Sequence, residues 1–151
     1  MPNNRSAYVF DTNVLSEVMK ERPDAAVVDW LRHCPAEAML TTSISQAEIL
    51  FGVRRLPEGA RRARLLAAAV ALFTTTLAGR ILAFDEQAAS IYADIRIAGE
   101  RAGRPVAEQD GMIAAITRAH NVRVLTRDER GFADCGVAVV NPWKSTETLG
   151  G

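Results

Sequence analysis

The sequence predicts an α/β fold: a mostly parallel sheet of about five strands, covered by helices on both faces. Two observations carry this. Short apolar runs that end at polar residues alternate along the chain with stretches of helical periodicity. The apolar runs are also nearly continuous rather than alternating, as strands buried on both faces are.

Ala7-Tyr-Val-Phe-Asp11 is the first such run, and Val14, Leu15, Val18 and Met19 recur behind it at helical spacing. Pro23-Asp24 opens a second helix, with Val27, Val28 and Leu31 on one face. Ala38 to Thr42 reads as the second strand, followed by a helix from Ser45 to Arg55. The Ala/Leu/Arg-rich stretch from Gly59 to Thr75 reads as a further helix, and Arg80 to Phe84 as the third strand. A long helix is expected from Asp85, with Ala88, Tyr92, Ile95, Ala98 and Ala102 down one side. Gly103-Arg-Pro105 breaks it. The next helix, Glu108 to His120, should turn Met112, Ala115, Ile116 and Ala119 inward. Val122 to Thr126 and Val137 to Val140 complete the strands, the last stopped by Asn141-Pro142.

With 151 residues and neither repeat nor low-complexity linker, one domain over 1–144 is the economical reading, with 145–151 as a flexible tail. Hydrophobic residues make up 48% and charged residues 24%, which excludes a disordered chain, and a net charge of zero excludes a generic polyanion binder. Sixteen arginines against Lys20 and Lys144 suit phosphate handling, although a codon bias would give the same count. Cys34 and Cys135 have neither CxxC spacing nor disulfide-scaffold density, and no signal peptide is evident, so a reducing cytoplasm is expected. The longest apolar run, Leu65 to Phe73, is far below the ~20 residues that span a bilayer.

Ligands of parallel α/β sheets bind beyond the carboxyl ends of the strands. Asp11 stands at that end of the first strand, Glu48 in the helix entered from the second, and Asp128 two residues beyond the fourth; Asp110 lies in the first turn of the helix leading into the fourth. Each also has a local explanation: Asp11 as a helix cap, Glu48 as the third position of a capping box begun by Ser45, Asp110 as a response to a helix dipole, Asp128 as a turn residue. None of these explains why three of the four come off one edge.

Two carboxylates ~4–5 Å apart repel by roughly 4 kcal/mol at an effective dielectric of ~20. Four converging acids therefore take up protons or a counter-charge. An all-oxygen cluster suits Mg²⁺ or Mn²⁺ rather than zinc, and such an ion activates water and neutralises phosphate charge. Metal-assisted phosphodiester hydrolysis is the chemistry this pattern points to.

Asp11-Thr-Asn-Val14 after a first strand resembles the opening motif of PIN-domain nucleases. Ala47-Glu-Ile-Leu50 with Gly52, Asp110-Gly-Met-Ile-Ala-Ala115 and Thr126-Arg-Asp128 resemble the family's later acidic blocks in the same order, and the match runs on through Phe132 to Asn141-Pro-Trp143. The similarity is greatest to the VapC/FitB group of bacterial toxin–antitoxin ribonucleases. One departure stands out: many members carry Asn where this chain has Asp128, and an Asp where it has Gly131. The resemblance implies a three-layer α/β/α PIN-like domain, dependence on Mg²⁺ or Mn²⁺, and cleavage of single-stranded or loop RNA. It further implies a homodimer and a small DNA-binding antitoxin whose free segment occludes the active site.

In that reading Asp11, Asp110 and Asp128 ligate the cation and Glu48 ligates or acts as base. Thr12, Asn13 and Thr126 hold the carboxylates in place, a local capping role being the alternative. Gly111 permits a close approach of backbone or substrate, or is slack in its helix. Arg54, Arg55, Arg61, Arg62 and Arg64 form the densest basic stretch and could face RNA, antitoxin or solvent. His33 and His120 lack a second histidine at ligand spacing, and Trp30, Phe132 and Trp143 read as packing anchors.

The rival readings are weaker. A haloacid-dehalogenase-like phosphohydrolase needs an Asp where Asn13 stands, and a receiver module needs adjacent early acids and a later Lys. No P-loop or dinucleotide fingerprint is present. A PIN domain that has lost cleavage and only scaffolds an antitoxin–DNA repressor complex is the remaining alternative.

Overall fold

The structure, a computed structural model, describes residues 6–144, so the expected tail at 145–151 lies outside the described residues. Its strands are β1 (Tyr8–Phe10), β2 (Met39–Thr42), β3 (Ile81–Leu82), β4 (Arg123–Leu125) and β5 (Val139–Val140). They form one sheet in the order β3-β2-β1-β4-β5, and every pairing is parallel. The helices are α1 (Thr12–Val18), α2 (Ala25–Arg32), α3 (Ser43–Arg54), α4 (Ala60–Ala71), α5 (Glu86–Arg101), α6 (Glu108–Ala119) and the short α7 (Glu129–Phe132).

Alternation along the strands sorts the core into two layers. Tyr8, Phe10 and Leu125 point to one face, where Leu15, Trp30, Ile49 and Phe73 of the first four helices and the turn after them cover them. Val9 and Val124 point to the other, against Ile95, Ile113, Ile116 and Phe132 of α5 to α7. The result is the parallel sheet covered on both faces expected from the alternation of runs, in the three-layer α/β/α arrangement that the resemblance implied.

Several expectations shift in detail. α3 begins at Ser43 because Thr42, rather than Ser45, caps it: the Thr42 hydroxyl accepts the Ser45 amide at 3.1 Å. The capping-box role for Glu48 falls with that. α4 ends in a wider π-type turn, Leu72–Thr76, where three threonines in a row suit helix interiors poorly and Thr74 bonds back to the Val70 carbonyl at 2.6 Å. On α5 the inward row is Ala88, Ile95 and Gly99, and Ala98 and Ala102 are exposed. Gly99 holds this place because a Cβ would stand 3.0 Å from the Arg104 carbonyl and 3.1 Å from Val106. α6 is buried on a wider front than one stripe: Gly111 and Ile113 to Thr117 are all buried, and Met112 and Ala119 only partly so. α7 was not legible as an element.

Chain order and sheet order together place a switch point between β1 and β4. From β1 the chain winds outward to β2 and β3, returns past β1, and then winds the other way to β4 and β5. In such sheets the crevice for a ligand opens at that point, beyond the carboxyl ends.

Candidate active site

Asp11 leaves β1 at the switch point, its amide donating to the Leu125 carbonyl of β4 at 2.9 Å. It is the N-cap of α1, as its local reading allows, and its Oδ1 accepts the Thr12 amide at 2.8 Å. The other oxygen is held from the neighbouring strand. The Thr126 hydroxyl donates to Asp11 Oδ2 at 2.8 Å, while Asn13 Nδ2 donates to the same oxygen at 3.3 Å and to Thr126 Oγ1 at 3.1 Å. Thr126 Oγ1 also accepts the Asp128 amide at 3.0 Å, so its one proton and both lone pairs are used. Asn13 Oδ1 closes the network by accepting the Arg127 amide at 3.1 Å. The hydrogen bonds of Asn13 and Thr126 thus fix where Asp11 points and how the chain turns toward Asp128. Thr12 contributes its backbone to this; its hydroxyl is buried with no hydrogen-bond partner among the described residues.

Glu48 is delivered by β2 and the Thr42 cap, half-buried next to the inward row Ser45, Ile49 and Val53 of α3. Asp110 sits in the first turn of α6, where the helix dipole favours a carboxylate. The neighbouring Gly111 serves helix packing: a Cβ there would meet the Tyr92 ring of α5 at 3.1 Å, so what approaches closely is an aromatic side chain. Asp128 caps α7, Oδ1 accepting the Gly131 amide at 3.1 Å.

Two of the four acids, Asp11 and Asp110, respond to the others. Burial raises the Asp110 carboxyl to about 6, helped by the charges of Asp11, Asp128 and Glu48, in that order. Burial also raises Asp11, against the hydrogen bonds of Thr126 and Thr12, and Glu48 and Asp128 push it the same way. Every charge perturbing these two groups is negative. Asp110 and Asp128 share the space above Gly131: a Cβ built on that residue would stand 2.8 Å from Asp110 Oδ2 and 2.5 Å from Asp128 Oδ2.

Among the described residues no three carboxylate, imidazole or thiol groups stand close enough to enclose an ion as they are. A small hard cation does not require that, because Mg²⁺ is commonly held by one or two carboxylates and keeps several waters. An all-oxygen donor set, mutual repulsion and the absence of a positive perturbing charge all fit a divalent cation.

Next to the acids, Thr12 and Glu48 line one end of a groove of about 350 Å³, floored by Met19, Ile49 and Leu65. The basic stretch divides around it. Arg61 and Arg64 line the groove, and Arg64 pairs with Glu21 at 3.2 Å. Arg62 leans toward Glu58, Arg55 lies over the exposed Phe51 ring, and Arg54 is exposed. His33 and His120 are helix C-caps, and Phe132 and Trp30 are buried in the core as expected. Trp143 is partly buried with Arg127 over its ring. Both cysteines are free and buried, their thiols pushed up to about 11 by burial. No described helix is long and apolar enough to cross a membrane.

Comparison with known proteins agrees with this architecture. The PIN domain family profile matches residues 8–137. The chain is 38% identical over 136 residues to VapC ribonuclease Y4jK of Sinorhizobium fredii, covering 90% of this chain and 97% of that protein. It is 39% identical over 135 residues to toxin FitB of Neisseria gonorrhoeae, covering 89% and 97%. Among solved structures, FitAB bound to an IR36 DNA fragment superposes with a TM-score of 0.86 at 38% identity, over 93% of this chain and 98% of the other.

Proposed function

The chain belongs to the PIN-domain family, and we propose that it is a metal-dependent endoribonuclease, the toxin of a bacterial toxin–antitoxin pair. The observation that carries this reading is the gathering of acids from four segments of the chain at the switch point of a parallel sheet, where burial and acidic neighbours raise the carboxyls of Asp11 and Asp110.

In this reading Asp11, Asp110 and Asp128 hold Mg²⁺ or Mn²⁺, directly or through water, and Glu48 is a further ligand or the base. A bound divalent ion supplies the missing counter-charge, makes water more acidic and offsets the charge of the phosphate. The protein's own part is positional. Thr126 and Asn13 hold Asp11 at a fixed angle, and the Glu48 carboxylate is the group available to take a proton from a water attacking phosphorus. As the water oxygen bonds to phosphorus, one bridging P–O bond of the RNA backbone breaks and the departing oxygen takes a proton from solvent, leaving a phosphate monoester and a hydroxyl end.

The partners follow from the relatives. RNA is the substrate class of the VapC relative, and the FitB relative is a toxin solved with its partner on DNA. For this chain we infer, from the family resemblance, a homodimer in the cytoplasm, bound by a small antitoxin with a DNA-binding end. The groove beside Glu48 has the apolar floor and charged rim suited to the antitoxin's free segment.

The test is incubation of the purified protein with RNA and Mn²⁺ alongside Asp110→Asn. Cleavage by the wild type alone supports the reading. Cleavage by neither favours a scaffold in an antitoxin–DNA repressor complex, and cleavage by both identifies a contaminant.

A further inference from the structure

Gly131 lies in α7, away from any turn that requires a glycine, yet it is the glycine with the tightest surroundings in the described chain. A Cβ placed on it would stand 2.5 Å from Asp128 Oδ2 and 2.8 Å from Asp110 Oδ2, separations that real Cβ atoms essentially never show. Its amide meanwhile donates to Asp128 Oδ1 at 3.1 Å. The missing Cβ of residue 131 therefore leaves the room in which an oxygen of each of two carboxylates stands.

We propose that Gly131 is a positioning residue of the acid site: the lack of a side chain there lets the Asp128 carboxyl turn toward Asp110 rather than away from it. This rests on the metal-binding reading above.

The physical argument separates this role from a structural one. The atoms a Cβ would strike are the ends of two side chains, not backbone, so a methyl group is relieved by swinging the carboxylates aside, without unfolding α7. Alanine is also the better helix former at an interior position by up to ~1 kcal/mol. A substitution that leaves stability almost untouched should thus push the Asp110 and Asp128 carboxyls from their places. The swing also takes Asp128 Oδ1 from the Gly131 amide, which removes the cap that fixes the direction of Asp128.

The experiment measures Mn²⁺ binding by calorimetry for the wild type, Gly131→Ala, Asp128→Ala and the double variant, with a melting curve and a crystal structure of Gly131→Ala. Gly131→Ala is expected to bind Mn²⁺ at least about tenfold more weakly, in the range of residues that orient metal ligands, with an unchanged or raised melting temperature. In the Asp128→Ala background the same change should cost much less, because the carboxylate it displaces is gone. Its structure should show the Asp128 carboxyl turned from Asp110. Wild-type-like Mn²⁺ affinity, full additivity with Asp128→Ala, or an unmoved Asp128 would each overturn the proposal. A wild type that takes up no Mn²⁺ at all would instead overturn the metal reading, while the crystal structure still decides whether Gly131 sets the direction of Asp128.

Discussion

Phe10 and Asp11 are neighbours in the chain and almost equally withdrawn from water, 3% and 5% exposed, but burial acts on them in opposite directions. Phe10 packs edge-on against Trp30, ring centroids 6.4 Å apart, and burying such a side chain stabilises the fold by about 1.5–3 kcal/mol. Burial of Asp11 raises its carboxyl and sets it beside other acids. The core is a region where every local preference agrees. The carboxyl edge is one where the fold holds groups together that would separate if free, and such places are where function is expected. The rigidity of the first region is what makes the second possible, since Tyr8, Val9 and Phe10 anchor the strand on which Asp11 is carried.

Substitutions can break this contrast from either side. The largest effect on the apolar side is expected from Leu15→Ala. Leu15 is fully buried one turn beyond Asp11, and its truncation should destabilise by about 2–5 kcal/mol in denaturant melts while the folded fraction keeps its Mn²⁺ affinity. A parallel loss of affinity without unfolding would show that the two regions are not separable.

On the polar side, Thr126→Val keeps the shape and removes the hydroxyl that joins Asp11, Asn13 and Asp128. Metal affinity or activity should fall ~10–100-fold, as for other residues that orient ligands, read by titration with Mn²⁺. Retention of full affinity would mean that Asp11 needs no help to point where it does.

The pH dependence tests the repulsion itself. The folded-state carboxyl of Asp110 is raised from 3.8 to about 6, so the folded chain holds this proton more tightly than the unfolded one. Its ionisation therefore penalises the metal-free fold: stability from this group falls as pH rises from about 4 to about 6 and stays reduced above. Asp110→Asn should lessen that fall and melt higher than the wild type near neutral pH when metal is absent. For the wild type, Mn²⁺ affinity should drop as pH is lowered through about 6, because metal and proton compete. A flat profile in both measurements would remove the electrostatic basis of the site.

The smallest effect is expected at Thr42→Ala. Loss of the α3 cap should destabilise by ~1 kcal/mol in a thermal melt, with little change in the chemistry of Glu48 one turn further on.

The strands, most helices and three of the acids were legible in the sequence because their signals are local: β1 and β4 read as apolar runs, and Asp11, Glu48 and Asp128 follow strand ends, whereas Asp110 was picked out by its motif. What was not legible depends on pairing across the chain. That β1 lies between β2 and β4, which brings the Asp11 and Asp128 segments side by side, comes from β1–β4 pairs more than a hundred residues apart. Gly99 displaces Ala98 and Ala102 from the inward row of α5 because the Arg104–Val106 backbone folds over it, which no periodicity announces. α7 is too short for a periodic signal, and so the importance of Gly131 was hidden, although a glycine beside an acidic block was its one visible trace.

The sheet order has a further consequence, for the timing of synthesis. A ribosome making this chain releases β1, β2 and β3 first, with Asp11 and Glu48 aboard, while Thr126 and β4 are still unmade. Thr126 and two of the three acidic companions of Asp11, Asp110 and Asp128, follow only after all of these strands. On the proposed reading, a chain cut short before β4 lacks Thr126 and Asp128 and so carries an incomplete acid site, whatever the state of β1 to β3.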